Sequence, residues 1–150
     1  MTDSGSFVGS FFTLGGSGGT LTICDCAGTG KIITNCKTQT MDPQPSIMVQ
    51  GCNLVLENVT VDNNNSTLTK SVGIRYYGNS GYTSTITNSH ITGKAAGIQN
   101  ETGILNVTGG SITSTQNNSN GVYTWDTATL TDVTGTGVTN GINNTGTVTV

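Results

Sequence analysis

The stretch Gly97-Ile98-Gln99-Asn100-Glu101-Thr102-Gly103-Ile104-Leu105-Asn106-Val107-Thr108-Gly109-Gly110-Ser111-Ile112 holds short apolar alternations separated by glycine and polar residues. Its pieces recur along the chain. Gly-Ile or Gly-Val stands at Gly73-Ile74, Gly97-Ile98, Gly121-Val122 and Gly141-Ile142, with spacings of 24, 24 and 20 residues. A second piece, Leu105 to Ile112, has counterparts starting at Leu21, Leu54, Ser84 and Ala128, and Gly146 to Val150 begins another. A unit of this length cannot bury its apolar face alone, and stacked neighbours bury it together.

Stacking the copies gives columns. Ile23, Leu56, Ile86, Val107, Leu130 and Val148 form one that is apolar throughout, between mostly polar neighbours. Period-2 alternation of this kind marks a strand with one face inward. Two residues further on, Asp25, Asn58, Asn88, Gly109 and Asp132 share a column. These residue types tolerate the left-handed region or make local side-chain turns, so the chain is expected to bend there in every coil. The next column, Cys26, Val59, Ser89, Gly110 and Val133, is small or apolar, as a second inward strand requires. The reading is an all-β parallel β-helix of about six coils. It spans residues 18–150, after an irregular segment, or the start of the first coil, at residues 1–17. Coil length varies from 18 to 33 residues between equivalent positions, and the excess reads as loops at 62–70 and 77–83.

Composition agrees. The 150 residues include 29 Thr, 22 Gly and 16 Asn, with 33% hydrophobic and 9% charged residues. Thr favours strands, while Gly and Asn favour tight turns. Five Lys and Arg and a net charge of −3 argue against a nucleic-acid surface. No run of about 18 apolar residues is present, so membrane insertion is not expected. Met1 to Ser10 lacks the pattern of a secretory leader, and the chain stops inside a strand pattern at Thr147 to Val150. An excerpt of a longer solenoid is expected, and an uncapped end invites end-to-end self-association.

Gly18 to Ile32, together with the later Gly-Ile coils, resembles the right-handed parallel β-helix repeats of the pectin-lyase-like fold. The repeats most resemble those of bacterial cell-surface proteins and adhesins. Asn58 and Asn88 resemble that fold's asparagine ladder. The resemblance covers residues 18–150. It implies right-handed coils and an extracellular or cell-surface location, but not one activity, because the scaffold carries lyases, hydrolases, phage spikes and adhesins alike.

Polysaccharide cleavage on such a scaffold uses clustered carboxylates, calcium and a basic residue. Asp25 and Asp132 are explained by the turn column, Asp3 and Asp42 lie in irregular segments, and Asp62 opens a loop. No two carboxylates share a column in adjacent coils. His90, the one histidine, reads as an outward strand residue beside Thr60, Ser111 and Thr134. No catalytic residue, metal or cofactor is expected. Cys24, Cys26, Cys36 and Cys52 suit structural roles. A Cys24–Cys26 bond would be strained, and three pairings are open to an even set of four. Of the seven Asn-x-Ser/Thr sites, at Asn58, Asn64, Asn65, Asn100, Asn106, Asn117 and Asn143, most are expected by chance in a chain this rich in Asn and Thr, and they matter only where the source glycosylates.

Two outward faces remain. After each Gly-Ile pair, alternation sets Arg75, Gln99, Tyr123 and Asn143 in one column and Tyr77, Glu101, Trp125 and Thr145 in the next. Aromatic rings flanked by hydrogen-bonding groups suit sugar stacking, so a glycan or a cell-surface protein is the expected partner. Elsewhere Thr85 and Thr87, Asn106 and Thr108, Thr129 and Thr131, and Thr147 and Thr149 flank the apolar column. Such Thr-x-Thr arrays resemble those of ice-binding proteins. The function expected is an extracellular structural or adhesive module that contacts glycans. The alternatives are ice binding, or a non-catalytic part of a carbohydrate-active enzyme.

Overall fold

A computed structural model describes residues 10, 12–16, 18–34, 42–64 and 67–150. Its regular elements are all strands, three to a coil. The first coil holds β1 (Phe12–Gly15), β2 (Thr20–Cys24) and β3 (Lys31–Ile33). The second holds β4 (Gln44–Gln50), β5 (Asn53–Glu57) and β6 (Thr60–Asp62), and the third β7 (Ser71–Tyr76), β8 (Thr83–Thr87) and β9 (His90–Gly93). The fourth holds β10 (Ala96–Asn100), β11 (Ile104–Thr108) and β12 (Ser111–Ser114). The fifth holds β13 (Asn120–Thr124), β14 (Thr127–Thr131) and β15 (Thr134–Thr136), and β16 (Asn140–Asn144) and β17 (Thr147–Thr149) begin a sixth. Equivalent strands pair in parallel, giving sheets β1-β4-β7-β10-β13-β16, β2-β5-β8-β11-β14-β17 and β3-β6-β9-β12-β15. This is a right-handed parallel β-helix of about six coils.

Each sheet turns stacked apolar residues inward. The first contributes Ile47, Ile74, Ile98 and Val122, the second Leu56, Ile86, Val107 and Leu130, and the third Val61, Ile91 and Ile112, all buried. The inward column of the second sheet runs Ile23, Leu56, Ile86, Val107, Leu130 through successive pairings. Val148 departs from the sequence reading, because it pairs with Ala128, two residues before Leu130. The same 20-residue step that pairs Asn120 with Asn140 also pairs Thr127 with Thr147, so the last coil keeps its register and needs no slip.

The recurring glycines mark where the first sheet meets the third. A Cβ at Gly73 would lie 2.5 Å from Ile91 Cγ2, and one at Gly97 would lie 2.5 Å from Ile112 Cγ2. At Gly121 it would lie 2.9 Å from the carbonyl oxygens of Ile112 and Thr136. No side chain fits at these distances. Glycine is therefore required by contact, and the neighbouring Ile or Val fills the interior.

The turn column lies between the second and third sheets. Asn58, Asn88 and Asp132 have φ of 56°, 46° and 53°, and Gly109 has 67°. Backbone N–H groups of Asn58, Asn88 and Gly109 donate to Thr87, Thr108 and Thr131 in the next coil, so the ladder runs on through the bend. Ser89 stitches this corner, its hydroxyl accepting from Val59 N–H and donating to the Thr87 carbonyl. Asp25 holds its corner differently. Its carboxylate accepts N–H groups of Ala27, Thr29 and Gly30, and these bonds, Gly30 foremost, keep its pKa below the ordinary carboxylate value. The extra loop residues displace Cys26 from the column expected for it. Cys26 is exposed, and Gly30 instead accepts the N–H of Thr60.

Gly97→Ala should lower unfolding free energy by about 1–3 kcal/mol, the cost of overpacking a filled site. Gly15→Ala, where an added Cβ meets nothing within 4 Å, should change it by under about 0.5 kcal/mol. Urea unfolding of both variants makes the comparison.

Candidate functional site

The outward side of the first sheet carries the expected columns. Gln99 pairs with Arg75 and with Tyr123, and Tyr123 with Asn143. One pleat on, the N–H groups of Tyr77, Glu101, Trp125 and Thr145 donate to Val49, Tyr76, Asn100 and Thr124. The ladder thus continues past the strand ends and holds Tyr77, Glu101 and Trp125 in neighbouring coils.

At the centre, Glu101 Oε1 accepts from Arg75 Nε at 2.6 Å and from Gln99 Nε2 at 2.8 Å. The Arg75 guanidinium lies 4.8 Å from the Tyr77 ring centroid, a cation–π contact. Arg75 Nη1 also donates to the Pro43 carbonyl at 3.3 Å. The sequence reading offered Arg75 and Gln99 as ligand groups, yet each is only 8% exposed. The Asp42–Pro43 segment covers Arg75, and Gln99 sits low between neighbouring loops. The exposed groups are aromatic. Tyr77 is 42% and Trp125 41% exposed, and the Tyr123 and Trp125 rings touch, with centroids 4.1 Å apart and planes inclined 44°.

Beside these rings is a cleft of about 270 Å³. It exists because connections between the third and first sheets differ in length. Between β9 and β10 the chain turns through Lys94 and Ala95, both N–H groups donating to the Ser71 carbonyl. Residues 63–70 before it and 115–119 after it are longer loops. One wall is Asp42, Pro43 and Lys70, the floor is Ala95, Ala96 and Gln99, and the far wall is Asn118, Asn120 and Tyr123. Lys70 and Asp42 are paired at 2.8 Å on the open surface. Asn120 Oδ1 accepts from Asn140 Nδ2, and Asn118 has a left-handed φ of 59°. Sequence reasoning missed this cleft. Unequal coil lengths were visible, but not that a two-residue connection lies between longer ones at one corner. A second, apolar cavity of about 310 Å³, lined by Phe12, Leu21, Ile23 and Ile32 among others, is the end of the core stack in the first coil.

The outward face of the second sheet is broad and threonine-rich. Thr85 and Thr87 pair with Asn106 and Thr108, which pair with Thr129 and Thr131. The last coil corrects the expected array, since Thr147 pairs with Thr127 and Thr149 with Thr129. Threonine therefore fills three columns in β8 and β14. Ile104 and Asn106 interrupt them in β11, and Asn53, Val55 and Glu57 in β5.

Remaining groups are scattered. His90 is exposed between Thr60 and Ser111, with Nδ1 2.8 Å from the Ser111 hydroxyl. Cys52 is buried, its thiol pushed up in pKa by that burial. Cys24 and Cys26 are exposed and unbonded among the described residues, and Cys36, Asp3 and Asn65 lie outside them. Among the described residues no three His, Cys, Asp or Glu side chains converge as metal ligands. Also among them, no helix is long and apolar enough to cross a membrane. Comparison of the chain with protein-family models, curated proteins and solved structures finds no match.

Glu101→Ala should destabilise the fold by about 1–3 kcal/mol, because it strips two charge-assisted bonds and leaves Arg75 without its carboxylate. Lys70→Ala, at an exposed pair, should cost under about 1 kcal/mol. Thermal unfolding of the two variants tests the difference.

Proposed function

We propose that this chain is a structural and adhesive β-helix module of the cell surface or extracellular space, and that it holds glycans against the outward face of its first sheet. The exposed Trp125 ring, packed against the half-buried Tyr123, carries this reading. Two touching rings, open on one side and backed by a rigid parallel sheet, make a stacking platform for a sugar ring. On the same face Arg75 bonds Glu101 and the Pro43 carbonyl, tying three neighbouring coils together and favouring a preorganised surface. Trp125 is the chain's one tryptophan, so its fluorescence reports directly on the face. Titration with oligosaccharides should shift that emission, and Trp125→Ala should weaken retention on the same glycans at least tenfold, about 1.4 kcal/mol. Retention unchanged in Trp125→Ala would refute the platform.

The second sheet favours another reading, ice binding. Its threonine columns lie on a parallel sheet with strands about 4.8 Å apart, and Thr85, Thr108, Thr131, Thr147 and Thr149 are exposed. On this reading the protein shapes growing ice crystals and produces thermal hysteresis. Unshaped crystals at millimolar protein would exclude it.

A further inference from the structure

The cleft over the Lys94–Ala95 turn shares Tyr123 with the aromatic platform. We propose that this cleft is a subsite for a single uncharged sugar unit, with the rest of the glycan running along β10 towards Trp125. The inference rests on the glycan reading above and assigns it a ligand class.

Three observations support it. The first is size. At about 270 Å³ the cleft falls just below the roughly 300–1,000 Å³ of sites that enclose drug-sized ligands, which suits one ring and not a folded oligosaccharide. The second is chemistry. Gln99, Asn118 and Asn120 place three amides around Ala95 and Ala96; Gln99 Nε2 also donates to Glu101 and Asn120 Oδ1 also accepts from Asn140, which leaves the Gln99 oxygen, the Asn120 NH2 and the Asn118 amide to face a ligand. An amide carries donor and acceptor side by side, the pairing that vicinal hydroxyls require. The third is charge. Lys70 and Asp42 on the wall neutralise each other, and Glu101 beyond the floor is neutralised by Arg75. A uronate, sialate or sulfate would enter with its charge uncompensated, whereas a neutral hexose or N-acetylhexosamine loses nothing. The walls are also fixed. Asn120 N–H donates to Ala95, Gln116 N–H to Lys94, and Gln44 N–H to Lys70.

Two variants of the full chain test the subsite. Asn118→Gly removes one amide at a left-handed position that glycine adopts without strain, and Ala95→Trp fills the cleft from its floor. Binding is read by Trp125 fluorescence for Asn118→Gly, and by glycan array for all proteins. The array carries neutral gluco-, galacto-, manno- and N-acetylhexosamine oligosaccharides beside polyuronate, sialylated and sulfated ones. The unaltered chain should bind neutral members, Asn118→Gly should bind them at least fivefold more weakly, and Ala95→Trp should lose them. If Ala95→Trp does not fold, Asn118→Gly decides alone. Loss of binding in Trp125→Ala with full binding in Asn118→Gly would overturn the subsite and leave the platform standing. A preference for acidic glycans would overturn the neutral class. No binding to any glycan would overturn both readings.

Discussion

The first and third sheets meet so closely at Gly73, Gly97 and Gly121 that no side chain fits between them, and the rest of the molecule is arranged around that contact. Because the backbones almost touch, the interior is thin there. The residue after each glycine points into it, and Ile74, Ile98 and Val122 become fully buried. The same contact forces each connection between these sheets to the outside. Its length is then free to vary without disturbing the core, and that freedom creates the cleft beside Tyr123.

Burial, not charge, holds the coils together. The stacked Leu, Ile and Val residues supply the apolar area, at roughly 25 cal/mol per Å² removed from water. Two interior amides give their N–H groups to backbone carbonyls at corners. Asn100, 1% exposed, donates to the Gly103 and Thr127 carbonyls and to the Thr124 hydroxyl. Asn63, fully buried, donates to the Gln44 and Val72 carbonyls. With the core so uniform, individuality lies outside. One outward face carries Tyr77 against Arg75 and, further along, the Tyr123–Trp125 pair, and another spreads threonine over several coils.

Much of the fold was legible because its causes are local and repeat. Alternation named the inward column from Ile23 to Leu130, and the left-handed tolerance of Asn58, Asn88, Gly109 and Asp132 marked the bends. The glycines before Ile74 and Ile98 showed a repeat, but their reason, close approach of a third strand, depends on side chains of another sheet. Val148 leaves the expected column because the 20-residue step from the preceding coil sets it beside Ala128. Cys26 was misplaced because the residues inserted after Asp25 form a loop closed by the aspartate itself. In the site, the outward order of Arg75, Gln99 and Tyr123 followed from alternation. The burial of Arg75 did not, since it comes from Asp42 and Pro43, distant in sequence and brought over the sheet by a long connection.

The central claim is that glycine lets the first and third sheets touch, and nuclear Overhauser contacts in solution test it most directly. The account predicts strong contacts from the Gly73 α-protons to the Ile91 γ2-methyl and from the Gly97 α-protons to the Ile112 γ2-methyl. Glycine α-protons that contact only neighbouring strands of their own sheet would contradict it.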